Sequence, residues 1–188
     1  MGRYDEGLTE IYKAQELDPR SADLGVPLSG ILEKRGEFDE AIRVLQSTLE
    51  MDKDSKFARR GIANAYLLKG DFAQVVELGN QEFPNPKDTD FAWASMLATA
   101  YHKTGQLGKA TEMRNRLKKL AEKDPKSLYF LALHDSEVGR TDEAVAALRK
   151  CIDLREERVV TTKDEPRFSA IKDDPRFQGI LQQLYLAS

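Results

Sequence analysis

The chain is poor in the residues that most functions need. Its 188 residues hold one cysteine, Cys151, so no internal disulfide can form. On the inward face of a predicted helix, Cys151 reads as a small buried apolar residue rather than a reactive thiol. The two histidines, His102 and His134, have no cysteine or second histidine at ligand spacing, which argues against a metal site. No GxxxxGK[ST] loop is present to cradle phosphate, and no Ser/His/Asp arrangement can be singled out. The expectation is no catalytic residue, no metal and no cofactor. No apolar run approaches the roughly 18 residues of a membrane span. The start, Met1-Gly2-Arg3-Tyr4-Asp5-Glu6, lacks the apolar stretch of a signal peptide. The expected location is therefore the cytoplasm. A net charge of −3 is too small to point to a polyanion or a membrane surface.

What the chain has is a period. Gly36, Gly70, Gly105 and Gly139 recur at intervals of 34, 35 and 34 residues, and Gly2 extends the series by another 34. Each is followed by a similar run: Gly36-Glu-Phe-Asp-Glu-Ala, Gly70-Asp-Phe-Ala-Gln-Val, Gly105-Gln-Leu-Gly-Lys-Ala, Gly139-Arg-Thr-Asp-Glu-Ala. Glycine takes the left-handed conformation that ends a helix. Asp39-Glu40 and Asp142-Glu143 would then lie in the first turn of the next helix, where the dipole favours negative charge. Ala41, Ala110 and Ala144 are small enough for two antiparallel helices to approach closely. Four residues before the glycines stand Leu32, Tyr66, Tyr101 and Asp135.

With 40% hydrophobic and 32% charged residues, the composition suits a charge-rich helical chain. Apolar residues at helical spacing predict helices near 4–17, 22–35, 38–51, 56–69, 72–83, 89–104, 107–123, 125–138 and 141–155. Gly25, Pro27 and Gly30 weaken the second of these, which should start late or kink. Pro84-Asn85-Pro86 should stop the fifth, and Asp124-Pro125 should open the eighth.

The pattern resembles the tetratricopeptide repeat family over roughly residues 1–155. The resemblance implies an all-α fold: a right-handed superhelical solenoid of antiparallel helix pairs, about four and a half repeats, with a concave face lined by the first helix of each pair. The first repeat lacks its first helix. Tyr4, Leu8 and Ile11 would lose their partner, so the chain is expected to be a fragment of a longer polypeptide or to dimerise there. Residues 156–188 lose the period and carry Pro-Arg-Phe twice, at 166–168 and 175–177. They read as a cap, with Asp174-Pro175 opening a last helix that carries Phe177, Ile180, Leu181 and Leu184. This ending is similar to that of repeat arrays in bacterial multidomain signalling proteins, which implies a bacterial parent with a kinase, cyclase or winged-helix domain.

The family resemblance makes the chain a non-catalytic scaffold for a peptide or protein segment. It assigns the groove to Arg60, Asn64, Ser95, Thr99, His102, Lys103, Lys126 and Tyr129. A Lys, Asn, Asn, Lys, Arg clamp for a peptide carboxylate, known in one subset of the family, would fall on Arg60, Asn64, Met96, Lys126 and Phe130. Met96 and Phe130 break it. The cations Arg60, Lys103 and Lys126 favour an acidic or carboxylate-ended ligand. Arg114, Arg116, Lys118, Lys119 and Lys123 form a basic run without interleaved aromatics, so the run reads as a solvated outer face and not as a nucleic-acid site. The alternatives to a peptide scaffold are a dimerisation module and a regulatory module in cis.

Overall fold

The computed structural model describes residues 2–18, 21–83 and 90–186. Among them there is no strand. The α-helices are α1 (Gly2–Leu17), α2 (Gly25–Lys34), α3 (Phe38–Met51), α4 (Lys56–Lys69), α5 (Phe72–Glu82), α6 (Phe91–Lys103), α7 (Leu107–Ala121), α8 (Lys126–Glu137), α9 (Thr141–Asp153) and α10 (Pro175–Leu186). Short 310 segments cover Ala22–Leu24, Glu157–Asp164 and Pro166–Ile171. The chain forms two compact units, Met1–Leu78 and Gly79–Ser188.

One turn is used four times. Gly36, Gly70, Gly105 and Gly139 have φ of +79°, +87°, +78° and +78°. In each turn the amide after the glycine donates back five residues: Glu37 to the Leu32 carbonyl, Asp71 to Tyr66, Gln106 to Tyr101 and Arg140 to Asp135, at 2.8–2.9 Å. These bonds satisfy carbonyls that the helix end would otherwise leave open. A fifth such turn closes α9, where the Glu156 amide donates to the Cys151 carbonyl at 2.8 Å. Its left-handed residue is Arg155, with φ +55°.

In the first unit α2, α3 and α4 share a core with α1. Leu8 is buried among Leu28, Leu32, Ile42, Leu45 and Ile62, and Ile11 packs against the same cluster. Within the unit Leu8 is thus covered and Ile11 partly so, whereas Tyr12 and Leu17 on the same helix are exposed. The Tyr4 side chain lies outside the described residues, as do Pro84, Asn85 and Pro86. The weakness foreseen near Pro27 takes the form of a 310 turn over Ala22–Leu24 before α2 begins at Gly25. Pro27 then falls in the first turn, where a missing N–H costs no helical bond. α1 begins at Gly2, where the repeat pattern alone would place a turn.

In the second unit α6 pairs with α7 and α8 with α9. Ala110 and Ala144 are buried at these pairings, as Ala41 is in the first unit. Gly79 meets α6 so closely that a Cβ there would lie 2.3 Å from Leu97 Cδ2. The basic run of α7, expected to be a solvated outer face, is not wholly one. Arg114 is buried, its Nε 2.6 Å from Asp135 Oδ1 and its Nη2 2.9 Å from Asp135 Oδ2. Arg116 lies over the Phe83 ring at 4.8 Å. Lys118, Lys119 and Lys123 are exposed.

Candidate functional site

α8 is covered on every side: all ten residues from Ser127 to Ser136 are buried. α6 is buried continuously from Trp93 to Tyr101. Neighbouring α-helices account for part of this, and the two 310 segments after α9 cover the rest. They run along α8 in the same direction. The Tyr129 hydroxyl lies 3.1 Å from Thr161 Oγ1, and Ser136 Oγ donates to the Arg167 carbonyl at 3.2 Å. Six residues of 310 helix rise about 12 Å and seven of α-helix about 10 Å, so the two backbones keep register.

Arg167 anchors this segment. Its Nη2 donates to Ser95 Oγ on α6 at 3.0 Å and to Glu137 Oε2 on α8 at 2.5 Å. Ser95 in turn donates to the Phe130 carbonyl at 2.8 Å. Glu137 also accepts from Thr99 Oγ1 at 2.8 Å, and Thr99 lies 3.1 Å from His134 Nδ1. Since the only Thr99 hydroxyl proton points to Glu137, His134 must donate from Nδ1. The result is a buried chain of bonds from His134 through Thr99 to Glu137, with Arg167 meeting the same carboxylate.

The electrostatics follow from burial. Desolvation first, then the charges of Arg167, Arg114 and Arg140, push His134 down to about 3, so it stays neutral. Burial opposes the charge on Arg167, yet Glu137 and Glu165 outweigh it and hold that pKa above its ordinary value. Burial raises the Tyr129 hydroxyl, and it pushes the Cys151 thiol up to about 12, which leaves that thiol unreactive near neutral pH.

Beside the arginine runs a file of rings. Phe91, Phe130, Tyr129, Phe168 and Phe177 follow one another with centroids 6.2, 6.0, 5.8 and 5.6 Å apart. Arg158 lies over Phe130 at 5.2 Å.

The eight groove residues expected from sequence divide. Arg60 and Asn64 belong to the first unit. Arg60 lies over the Phe57 ring at 5.1 Å, and Asn64 Nδ2 donates to Glu33 Oε2 at 2.9 Å. Ser95, Thr99 and Tyr129 come together in the second unit, but beneath residues 157–171 of the chain itself. His102 and Lys103 end α6, whereas Lys126 starts α8. One repeat on, Lys103 is level with Val138, so Lys126 lies roughly 18 Å away along the helix direction. The cations of the second unit therefore do not converge. Met96 and Phe130, which break the clamp pattern, are buried.

Sequence reasoning missed Glu137, His134 and Arg167. The signal was the period: Ser95 and Phe130, like Thr99 and His134, are 35 residues apart, the interval from Gly70 to Gly105. Among the described residues no group of three or more His, Cys, Asp or Glu could hold a metal ion. No described helix is long and apolar enough to cross a membrane.

Models of the tetratricopeptide repeat match residues 28–59 and 125–158. No curated protein matches by sequence. Among solved structures the chain is similar to YrrB, described as a TPR protein with an unusual peptide-binding site. The TM-score is 0.52 at 18% identity, over 93% of this chain and 90% of that one. The likeness shows the fold, an all-α helical repeat solenoid.

Proposed function

We propose that this chain, a tetratricopeptide-repeat protein, is a non-catalytic scaffold that binds a peptide or protein segment on the first helices of its repeats. The observation that carries the reading is the treatment of residues 157–171. The α6/α8 face holds a segment that is not an α-helix, gripping its backbone through Ser136 and one side chain through Ser95 and Glu137. Tyr129 adds a hydroxyl contact and a ring face. These are the elements of peptide recognition: fixed polar groups on rigid helices, with aromatic surface between them.

The charge of the ligand is the finer question. Cations at Arg60, Lys103 and Lys126 favour an acidic or carboxylate-ended peptide, but the wall that meets Arg167 is a carboxylate. For the α6/α8 face we therefore favour a cationic ligand.

A peptide array carrying acidic-ended and arginine–aromatic sequences tests both levels. It would be probed with the wild-type chain, with Arg60→Ala/Lys126→Ala and with Glu137→Gln. Binding of arginine–aromatic peptides that is lost only with Glu137→Gln is the expected result. Binding of acidic-ended peptides that is lost with Arg60→Ala/Lys126→Ala would reverse the charge assignment. An array blank for all three proteins and also for Arg167→Ala/Phe168→Ala, in which residues 157–171 lose their anchors, would remove the scaffold reading.

A further inference from the structure

We propose that residues 157–171 are a displaceable occupant of the α6/α8 face, standing in for a partner protein's segment that carries arginine followed by an aromatic residue. This rests on the scaffold reading and names its ligand and its control.

The receiving site is built without the segment. His134, Thr99 and Glu137 form their chain of bonds entirely on α6 and α8, and Ser95 is oriented by the Phe130 carbonyl. The carboxylate is therefore already aimed when a guanidinium arrives, which lowers the ordering cost of binding. Its charge selects a cation, and Ser95 Oγ beside it offers a second acceptor to the same donor nitrogen.

The present occupant fits incompletely. Arg167 Nε is buried and has no hydrogen-bond acceptor among the described residues. A buried donor without an acceptor weakens the contact. The segment is 310 helix, whose hydrogen bonds are poorer than those of the α-helices around it. Its entry point is Arg155, a non-glycine residue at φ +55°, a conformation that L side chains avoid. A ligand presenting the same Arg–Phe pair without that strained entry and with its Nε satisfied would bind better, residue for residue.

The second Pro-Arg-Phe triplet is a control supplied by the chain. Arg176 remains half exposed and pairs with Asp174 and Asp142 at 2.8 and 2.7 Å, although Phe177 is buried. The tripeptide does not bury its arginine by itself; the Glu137 wall does so at Arg167.

Tethering gives the segment an effective concentration on the order of millimolar, so a ligand in trans must compete with it. The test uses a labelled peptide with the sequence of residues 163–172 and fluorescence anisotropy. The full-length wild type is compared with full-length Arg167→Ala/Phe168→Ala, in which the occupant has lost both anchors. The double variant should bind the peptide at least tenfold more tightly than wild type. Adding Glu137→Gln should remove the gain, and a peptide with alanine for arginine should not bind. Equal binding to both proteins, or no binding to a double variant that keeps its helical circular dichroism, overturns the proposal.

Should the double variant lose its helicity, hydrogen exchange on the wild type decides. Amides of 157–171 should exchange through a local opening while α8 stays protected. Exchange of both together, only on global unfolding, would make the segment a permanent part of the core and overturn the proposal. A concentration-dependent dimer abolished by Arg167→Ala would give the face to a second copy of the chain and also overturn it. Array binding that is indifferent to Arg167→Ala/Phe168→Ala would leave the scaffold standing and remove only this inference. A blank array for every protein would remove both.

Discussion

Arg114→Met should be among the most damaging single substitutions in the second unit, and its cost should depend on pH in a specified way. Asp135 is fully buried, with Arg114 bonded to both its oxygens. Burial already raises the Asp135 pKa, and Arg114 is the main force against that rise. Methionine would fill much of the arginine's volume but remove the cation, and Asp135 would then fold protonated. Protonating a carboxyl at pH 7 that ionises near 3.9 when unfolded costs about 1.36 kcal/mol for each of about three pH units, hence at most about 4 kcal/mol beyond the wild type, whose own Asp135 is already raised. Broken buried pairs typically cost about 3–5 kcal/mol, which agrees.

The sign is fixed by the raised folded pKa. The unfolded chain releases the proton as pH rises and the folded variant keeps it, so the penalty grows with pH. At pH 5 it should shrink to at most about 1.5 kcal/mol. Urea unfolding of wild type and variant at both pH values measures this difference, and the melting point at pH 7 should fall by roughly 8–16 °C. Asp135→Asn should cost less, because Arg114 retains Glu143 at 3.8 Å on the rim. Arg114→Met/Asp135→Leu should recover most of the loss, since an apolar pair can replace a buried ion pair. A penalty for Arg114→Met that stays flat between pH 5 and 7, or lies below about 1 kcal/mol, would refute the argument.

Other outcomes follow from the same geometry. His134 is depressed to about 3, so between that value and its unfolded 6.5 only the unfolded chain takes up the proton. Acidification from pH 7 to 5 should therefore cost about 2 kcal/mol in wild type, and His134→Gln should flatten that slope in a titration of unfolding free energy. Gly79→Ala should destabilise, because its Cβ would meet Leu97 at 2.3 Å. Gly30→Ala, inside α2 with nothing within 4 Å, should stabilise by about 0.5–1 kcal/mol; calorimetry on the pair checks both signs. Arg155→Gly relieves a left-handed arginine and should raise stability by about 1 kcal/mol in denaturant unfolding.

The glycine period announced the turns because backbone conformation at φ near +80° is a strictly local demand. Leu32, Tyr66, Tyr101 and Asp135 stood out in the sequence, and they are the residues whose carbonyls receive the closing bonds. The repeat tolerates a ring, a leucine or an acid there because the carbonyl does the work. α3 and α4 matched their predicted limits: both are amphipathic, and α4 ends at the left-handed Gly70. α6 and α8 also gave their limits nearly, but not their surroundings. A helix buried all round has no polar stripe to show which side faces a ligand. Ser95 and Thr99 fall to the groove by the family resemblance, which lines it with first helices; their partners, in the next repeat, leave no mark in the local sequence. Arg114 was misplaced for a related reason: its partner Asp135 sits in the following repeat, and a run of cations gives no sign of which member turns inward. Arg167 sat in a segment without period, where pattern gives no depth.

The continuous burial of α8 has a consequence for how this sequence can drift. α4 still shows solvent on one side, so substitutions there should be tolerated in a helical rhythm, one stripe free and another fixed. From Ser127 to Ser136 no stripe is free, and ten adjacent positions are each held by a neighbour. Four of the ten are polar residues, Ser127, His134, Asp135 and Ser136, bonded to α7, α6 or the segment after α9. Homologues of this unit should therefore carry one near-invariant word of ten letters inside otherwise loosely spelled repeats, and α8 can change only in concert with the helices and the segment that surround it.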